Sequence, residues 1–252
     1  GTIPLVQPNG HVTVVWDDFI YAYQSRVMAK TSRDGGRTFG PQVKVTDISA
    51  GFIRGMRTGP PGGFPAAAAD PVSGDLYVAW QDGRLRPKNK FGGPKGSDIL
   101  VSSSSDGGRS WSSPVRANHD PLDDRRDHFL PAVAAYGGDV HVSYLTRHWL
   151  SNFIRERSVS STNGGESFGV ERKLARRGDL SYAATVCTGC GTRWAERYKF
   201  VGDYMAIAAA RKVAYAVWAR PAKPATGPRA RHQTIWSGMI AVKQARTPQP
   251  VH

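Results

Sequence analysis

One eight-residue pattern occurs three times and restricts the chain more than any other feature. It reads Ser32-Arg33-Asp34-Gly35-Gly36-Arg37-Thr38-Phe39, then Ser104-Ser105-Asp106-Gly107-Gly108-Arg109-Ser110-Trp111, then Ser161-Thr162-Asn163-Gly164-Gly165-Glu166-Ser167-Phe168. Ser-x-Asp/Asn-Gly-Gly-x-Ser/Thr-aromatic is hairpin chemistry. The Asp or Asn oxygen accepts bonds from nearby backbone N–H groups, the glycines take up positive φ, and the aromatic ring pins the turn to its sheet. Three copies in one chain define a repeating unit.

A second element precedes each copy. Pro4-Leu5-Val6 leads through Asn9-Gly10 to Val12-Thr13-Val14-Val15-Trp16, and Pro65-Ala66-Ala67-Ala68-Ala69-Asp70 leads to Leu76-Tyr77-Val78-Ala79-Trp80. Pro131-Ala132-Val133-Ala134 leads to Val140-His141-Val142-Ser143-Tyr144, and Tyr204-Met205-Ala206-Ile207-Ala208 to Val213-Ala214-Tyr215-Ala216-Val217-Trp218. The closing aromatics Trp16, Trp80, Tyr144 and Trp218 are spaced by 64, 64 and 74 residues. Each unit reads as strand, turn, strand, variable loop, strand, Asp/Asn-Gly-Gly turn, strand. Four antiparallel strands repeated in this way predict an all-β propeller, with blades at about 1–47, 62–118, 128–175 and 200–245. The fourth unit lacks the Gly-Gly turn and is expected to stop after its third strand. No helical periodicity competes, and a β-sandwich would not keep a 64-residue period.

On these residues the chain resembles the Asp-box (BNR) repeat proteins, in particular the sialidase-like propellers of bacteria. The likeness extends through Trp80-Gln81-Asp82-Gly83-Arg84, Asp127-His128-Phe129-Leu130-Pro131 and Gly202-Asp203-Tyr204. That family is normally six-bladed, so the four visible units imply missing upstream blades; a closed four-bladed ring is the alternative. The resemblance makes Ser32, Asp34, Gly36, Ser104, Asp106, Gly108, Ser161, Asn163 and Gly165 structural, on the blade periphery. It implies a site in which arginines grip a substrate carboxylate, a Tyr assisted by a carboxylate is the nucleophile, and an Asp is the acid/base. Carried onto this chain, Tyr204 is the nucleophile candidate, Glu196 or Asp127 its assisting carboxylate, and Arg147, Arg84 and Arg57 the substrate-binding cations. Bidentate guanidinium suits a planar carboxylate, and a neutral Tyr avoids repelling an anionic sugar. The family's Arg-Ile-Pro stretch is represented only by Thr2-Ile3-Pro4, and the chain has four glutamates, Glu156, Glu166, Glu171 and Glu196.

Two functions follow. One is a glycan-directed propeller acting as an exo-α-sialidase type of glycoside hydrolase on anionic sugars. The other is a non-catalytic propeller serving as a carbohydrate- or protein-binding scaffold. The expected partner is a glycan or other anionic ligand at the propeller face. A net charge of +14 permits nucleic acid, but the basic runs (Arg84, Arg86, Lys88, Lys90 and Arg220, Lys223, Arg229, Arg231) lack interleaved aromatics and read as solvated loops. No apolar run is long enough to span a membrane, and the N-terminal stretch carries no signal peptide. Cys187-Thr188-Gly189-Cys190 allows a redox pair, half a zinc site or a local disulfide. No second ligand pair completes a zinc set, and a disulfide stapling a long loop would fit an extracytoplasmic or secreted protein. No metal or cofactor is expected: phosphate loops, HExxH and Gly-x-Ser-x-Gly elbows are absent.

Overall fold

A computed structural model describes residues 1–21, 24–49, 53–58, 63–90, 92–188, 196–223 and 232–241. The first sheet is a meander of β1 (Thr2–Val6), β2 (Val12–Tyr21), β3 (Gln24–Ser32) and β4 (Gln42–Ser49). A two-residue strand, β5 (Met56–Arg57), follows. The second sheet is β6 (Ala66–Ala69), β7 (Leu76–Asp82), β8 (Asp98–Ser104) and β9 (Val115–Arg116). The third is β10 (Arg126–Tyr136), β11 (Asp139–His148), β12 (Phe153–Ser161) and β13 (Arg172–Lys173), with β14 (Gly178–Asp179) pairing the start of β12. A 3-10 turn at Leu180–Tyr182 leads to β15 (Ala184–Thr188) and β16 (Glu196–Phe200). The fourth sheet is β17 (Ala206–Ala210), β18 (Val213–Pro221) and β19 (Gln233–Ala241). The fold is all-β.

The repeated turns form as their chemistry requires. Asp106 accepts from the N–H groups of Arg109 and Ser110 and from the hydroxyls of Ser104 and Ser110. Ser104 Oγ in turn accepts from Gly108 N at 2.9 Å. The turns at Asp34 and Asn163 repeat this arrangement. Gly108 has φ 84°, and a Cβ there would lie 2.8 Å from Thr31 Oγ1, so the second turn docks on the first sheet through a glycine. Thr31 Oγ1 donates to Gly107 O across the same junction. Asp70 ties the second sheet to the third by accepting from Gly137 N and Gly138 N.

Alternation along β7 explains the stacking. All seven of its residues are buried, and successive side chains point to opposite faces. Leu76, Val78 and Trp80 meet Leu5, Val15, Val27 and Ala29 of the first sheet. Tyr77 and Ala79 meet Val133, Val140, Val142 and Tyr144 of the third. Each such large side chain contributes about 1.5–3 kcal/mol on burial. The fourth sheet turns Ala214, Ala216 and Trp218 inward, beside Leu174. Its other face exposes Tyr215, Val217, Ile235 (75%) and Met239 (59%).

Three readings need correction. The inner strand of the third sheet starts at Arg126, five residues before Pro131. It accommodates Leu130 and Pro131 as a bulge between Phe129 and Ala132, with Leu130 at φ 51°. A small sheet in the order β15-β16-β5, whose β16–β5 pair is parallel, was not expected at all. Arg86, read as a solvated loop cation, is buried. Cys187 lies in β15 and is disulfide-bonded; Cys190 lies outside the described residues.

Candidate functional site

The inner strands β1, β6, β10 and β17 start at one end of the fold, where the second strands β2, β7, β11 and β18 finish. The Gly-Gly turns lie at the other end. The starting end collects Phe64 before β6, Tyr204 before β17, Asp127 in β10, Arg147 in β11, Asp82 at the end of β7 and Arg84 just beyond it. Phe64 and Tyr204 stack at 5.2 Å with their rings 20° apart, and Gly1 lies against the Tyr204 hydroxyl. The inner-strand starts therefore converge.

Asp127 and Arg147 face each other in the β10–β11 register. Asp127 is 5% exposed. Burial pushes its carboxyl up to about 6, against the fields of His128, Arg147 and Arg86, which favour the charged form. Arg147 is half-buried, and burial lowers its pKa despite Asp127. It donates through Nε to Ser151 O at 2.6 Å and through Nη1 to Arg54 O at 2.7 Å.

The other candidate residues are placed differently. Tyr204 is 63% exposed, and no hydrogen bond among the described residues brings a carboxylate to its hydroxyl. Arg84 clasps Asp82 with Nε at 2.9 Å and Nη2 at 2.7 Å, and Asp82 also accepts from Trp80 Nε1. Arg84 Nη2 also donates to Thr46 Oγ1 at 3.2 Å and to Asp47 O of β4, closing the seam between the first two sheets. Arg57 is exposed in β5, opposite Phe200. Glu196 opens β16, and its side chain lies outside the described residues.

Two buried polar groups were missed by the sequence reading. The first is centred on Arg86. Its Nη2 donates to Asp98 Oδ1 at 2.7 Å and Asp120 Oδ2 at 2.8 Å, its Nε to Asp98 Oδ2, and its Nη1 to Asp124 Oδ1 at 3.0 Å. Arg116 and Asn118 complete Asp98, and His128 Nε2 lies 3.0 Å from Asp120 Oδ1. Burial raises the Asp120 carboxyl, but His128, Arg86 and Asn118 outweigh that and hold it well below the carboxylate range. Ligand atoms of Asp98, Asp120 and His128 lie within 4.8 Å of one another, a spacing that could hold a metal ion. Here the Arg86 guanidinium supplies the positive charge between the two carboxylates. The second group is Glu156. Tyr144 and its register partner Arg157 face the second sheet, so Glu156 points from the opposite face. Burial raises its carboxyl well above the usual range, against the neighbouring Ser143 hydroxyl, which favours the charged form. Ser158, adjacent on that face, has a hydroxyl with no hydrogen-bond partner among the described residues. An acidic residue in a strand beside small polar residues was the available signal for it.

No protein-family model and no curated protein matches the sequence. Solved structures do match in fold. "Hadza microbial sialidase Hz136" has a TM-score of 0.53 at 15% identity, over 98% of this chain and 46% of that one. The α-L-arabinofuranosidase Arb93A from Fusarium graminearum has 0.52 at 12% identity, over 94% and 60%. The phage phi92 endosialidase has 0.52 at 10% identity, over 97% and 35%. At such identities the likeness is one of fold, a propeller-type all-β architecture. The chain spans between about a third and three-fifths of the length of these structures.

Proposed function

We propose that this chain is a sialidase-like, glycan-directed propeller that engages an anionic sugar where the inner strands begin. The observation that carries the reading is the nearly buried Asp127 carboxyl, raised to about 6 and set opposite Arg147 at the end that also holds exposed Tyr204. A carboxyl that titrates there can donate a proton to a departing glycosidic oxygen near neutral pH. In this scheme Arg147, with Arg57, attracts the substrate carboxylate. Tyr204 attacks the anomeric carbon, Glu196 is the remaining candidate to assist it, and water later cleaves the glycosyl–tyrosine bond.

Further blades beyond the four sheets are part of the same reading. The apolar outer face of the fourth sheet, with Tyr215, Val217, Ile235 and Met239, is what a following blade would cover. The disulfide at Cys187 suits an oxidising, extracytoplasmic setting.

A second reading, a non-catalytic glycan-binding scaffold, is favoured by the clasp of Arg84 on Asp82 and by the packing of Tyr204 on Phe64. Hydrolysis of a fluorogenic sialoside by the full-length protein separates the two. Turnover that falls roughly 10²–10⁴-fold in Asp127→Asn and is lost in Tyr204→Phe supports the enzyme. Binding of sialylated glycan without turnover supports the scaffold. A folded protein that does neither rejects both.

A further inference from the structure

The start of the third sheet carries a belt of arginines beside the candidate site and the Arg86 network. Arg125 and Arg126 lead into β10, Arg155 and Arg157 lie in β12, Arg177 precedes β14, and Arg54 lies beside Arg147. Two aromatic rings organise it. The Arg125 and Arg54 guanidinium carbons lie 5.1 and 5.8 Å from the Trp149 ring centre, and that of Arg177 lies 3.9 Å from Phe153. Arg126 pairs with Asp124 at 2.6 Å, and Arg157 with Glu171 at 3.2 Å. Arg54, Arg125, Arg155 and Arg177 form no ion pair with the described residues.

Gathering like charges on one edge is unfavourable unless an anion is to be met there. The strain registers at Arg155, whose pKa is lowered first by burial and then by Arg157, Arg126 and Arg177. The belt crosses β10, β11, β12 and β14, about 14 Å at ordinary strand spacing, which is too wide for a single carboxylate. Every cation in it is an arginine, whose planar fork pairs bidentately with oxyanions.

We infer that this edge is a second binding surface, separate from the Asp127–Arg147 pair, for a linear anionic polysaccharide bearing carboxylates or sulfates. The glycan character of the partner rests on the function proposed above. Single-stranded nucleic acid fits less well, because base stacking needs free aromatic faces and Trp149 and Phe153 already carry guanidinium groups.

The test measures binding of the full-length protein to polygalacturonate (carboxylate) and heparin (sulfate) over a salt series. Duplex DNA serves as the competing polyanion. The belt variant Arg125→Ser/Arg155→Ser/Arg177→Ser is compared with a control, Arg33→Ser/Arg37→Ser/Arg109→Ser, in exposed turns at the other end of the sheets. The belt variant is expected to lose at least roughly tenfold in affinity for one or both polysaccharides. Its dependence of log K on log salt should flatten by about 0.7–0.9 per lost contact, the nucleic-acid scale. The control should change little. Equal losses in both variants would reduce the effect to net charge and overturn the proposal. So would unchanged binding by the belt variant, or duplex DNA bound more tightly than either polysaccharide and lost with the belt. If the triple variant does not fold, exposed Arg177→Ser alone carries the test, with a loss of about twofold or more expected. A wild-type protein that binds polymer but neither cleaves nor binds the small sialoside keeps the belt and rejects the candidate site. The reverse result rejects the belt alone.

Discussion

Asp127→Asn isolates the group on which the proposed chemistry turns. The Asp127 carboxyl moves from 3.8 to about 6 on folding because burial penalises its charged form more than His128, Arg147 and Arg86 stabilise it. At about 1.4 kcal/mol per pKa unit, the displacement corresponds to about 3 kcal/mol. The sign follows from linkage. Folding favours the protonated form, so this contribution is fully present below about pH 3.8 and is lost as pH rises through about 6. Above that range the buried carboxylate imposes a constant penalty. Asparagine keeps the shape and never ionises. The stability difference, Asn variant minus wild type, should therefore grow by about 2.4 kcal/mol between pH 4 and pH 8, the rest of the change lying below pH 4. Any offset from the new amide contacts is independent of pH. Urea unfolding of both proteins at half-unit pH steps measures this, because other titrating groups cancel in the difference. A flat difference, or an Asn variant that loses ground as pH rises, would mean that Asp127 is ionised and paired in the fold. Asp127 would then hold no proton to donate near neutral pH.

Further outcomes follow from the packing. Arg86→Met removes the cation between Asp98, Asp120 and Asp124 and should cost about 3–5 kcal/mol in urea unfolding; Arg86→Lys should recover only part of it, lacking the fork. Asp106→Ala should cost about 1–2 kcal/mol by removing the acceptor for Arg109 N and Ser110 N. Asp106→Asn should cost less, since Asn163 already fills this role in the third turn. Gly137→Ala meets nothing within 4 Å and should show only the left-handed backbone penalty of about 1–2 kcal/mol. Gly108→Ala, which also meets Thr31 Oγ1, should lose more stability; equal losses would refute the docking account.

What could be read from the sequence was what is encoded locally. Ser32, Asp34 and Gly36 specify their turn with bonds that span at most four residues, and the alternation of Leu76 to Trp80 appears within one strand. The parallel pairing of Met56–Arg57 with Lys199–Phe200 joins segments far apart in sequence, and neither segment alternates. Arg86 was misread for a related reason. Its neighbours Arg84, Lys88 and Lys90 form a basic loop, whereas its partners Asp98, Asp120 and Asp124 are 12 to 38 residues away. The start of β10 was hidden by Pro131, which ordinarily opens a strand and here sits in a bulge. For the site, Asp127 and Arg147 were singled out by resemblance. The pKa of Asp127 depends on burial by surrounding sheets, and no local pattern carries that.

The distribution of polarity over the sheets suggests why the proposed chemistry falls on the third. The second sheet is covered on both faces, and its two buried carboxylates, Asp82 and Asp98, are each clasped by an arginine, Arg84 and Arg86. The fourth sheet leaves one face exposed, where a carboxyl would keep its water and its ordinary pKa. The third sheet lies between these two. It holds Asp127, His128, His141, Ser143 and Glu156 at buried positions, within a backbone fixed by the β11–β12 ladder and by the β10–β11 ladder on either side of the Phe129–Ala132 bulge. Low dielectric and a rigid frame together displace a carboxyl's pKa and hold it in place. The third sheet combines both conditions with a buried carboxyl at its starting end, Asp127, that forms no ion pair with the described residues. Asp127, less exposed than Asp17 and Asp18 at the same end of the first sheet, is the carboxyl to which the proposed acid–base role falls.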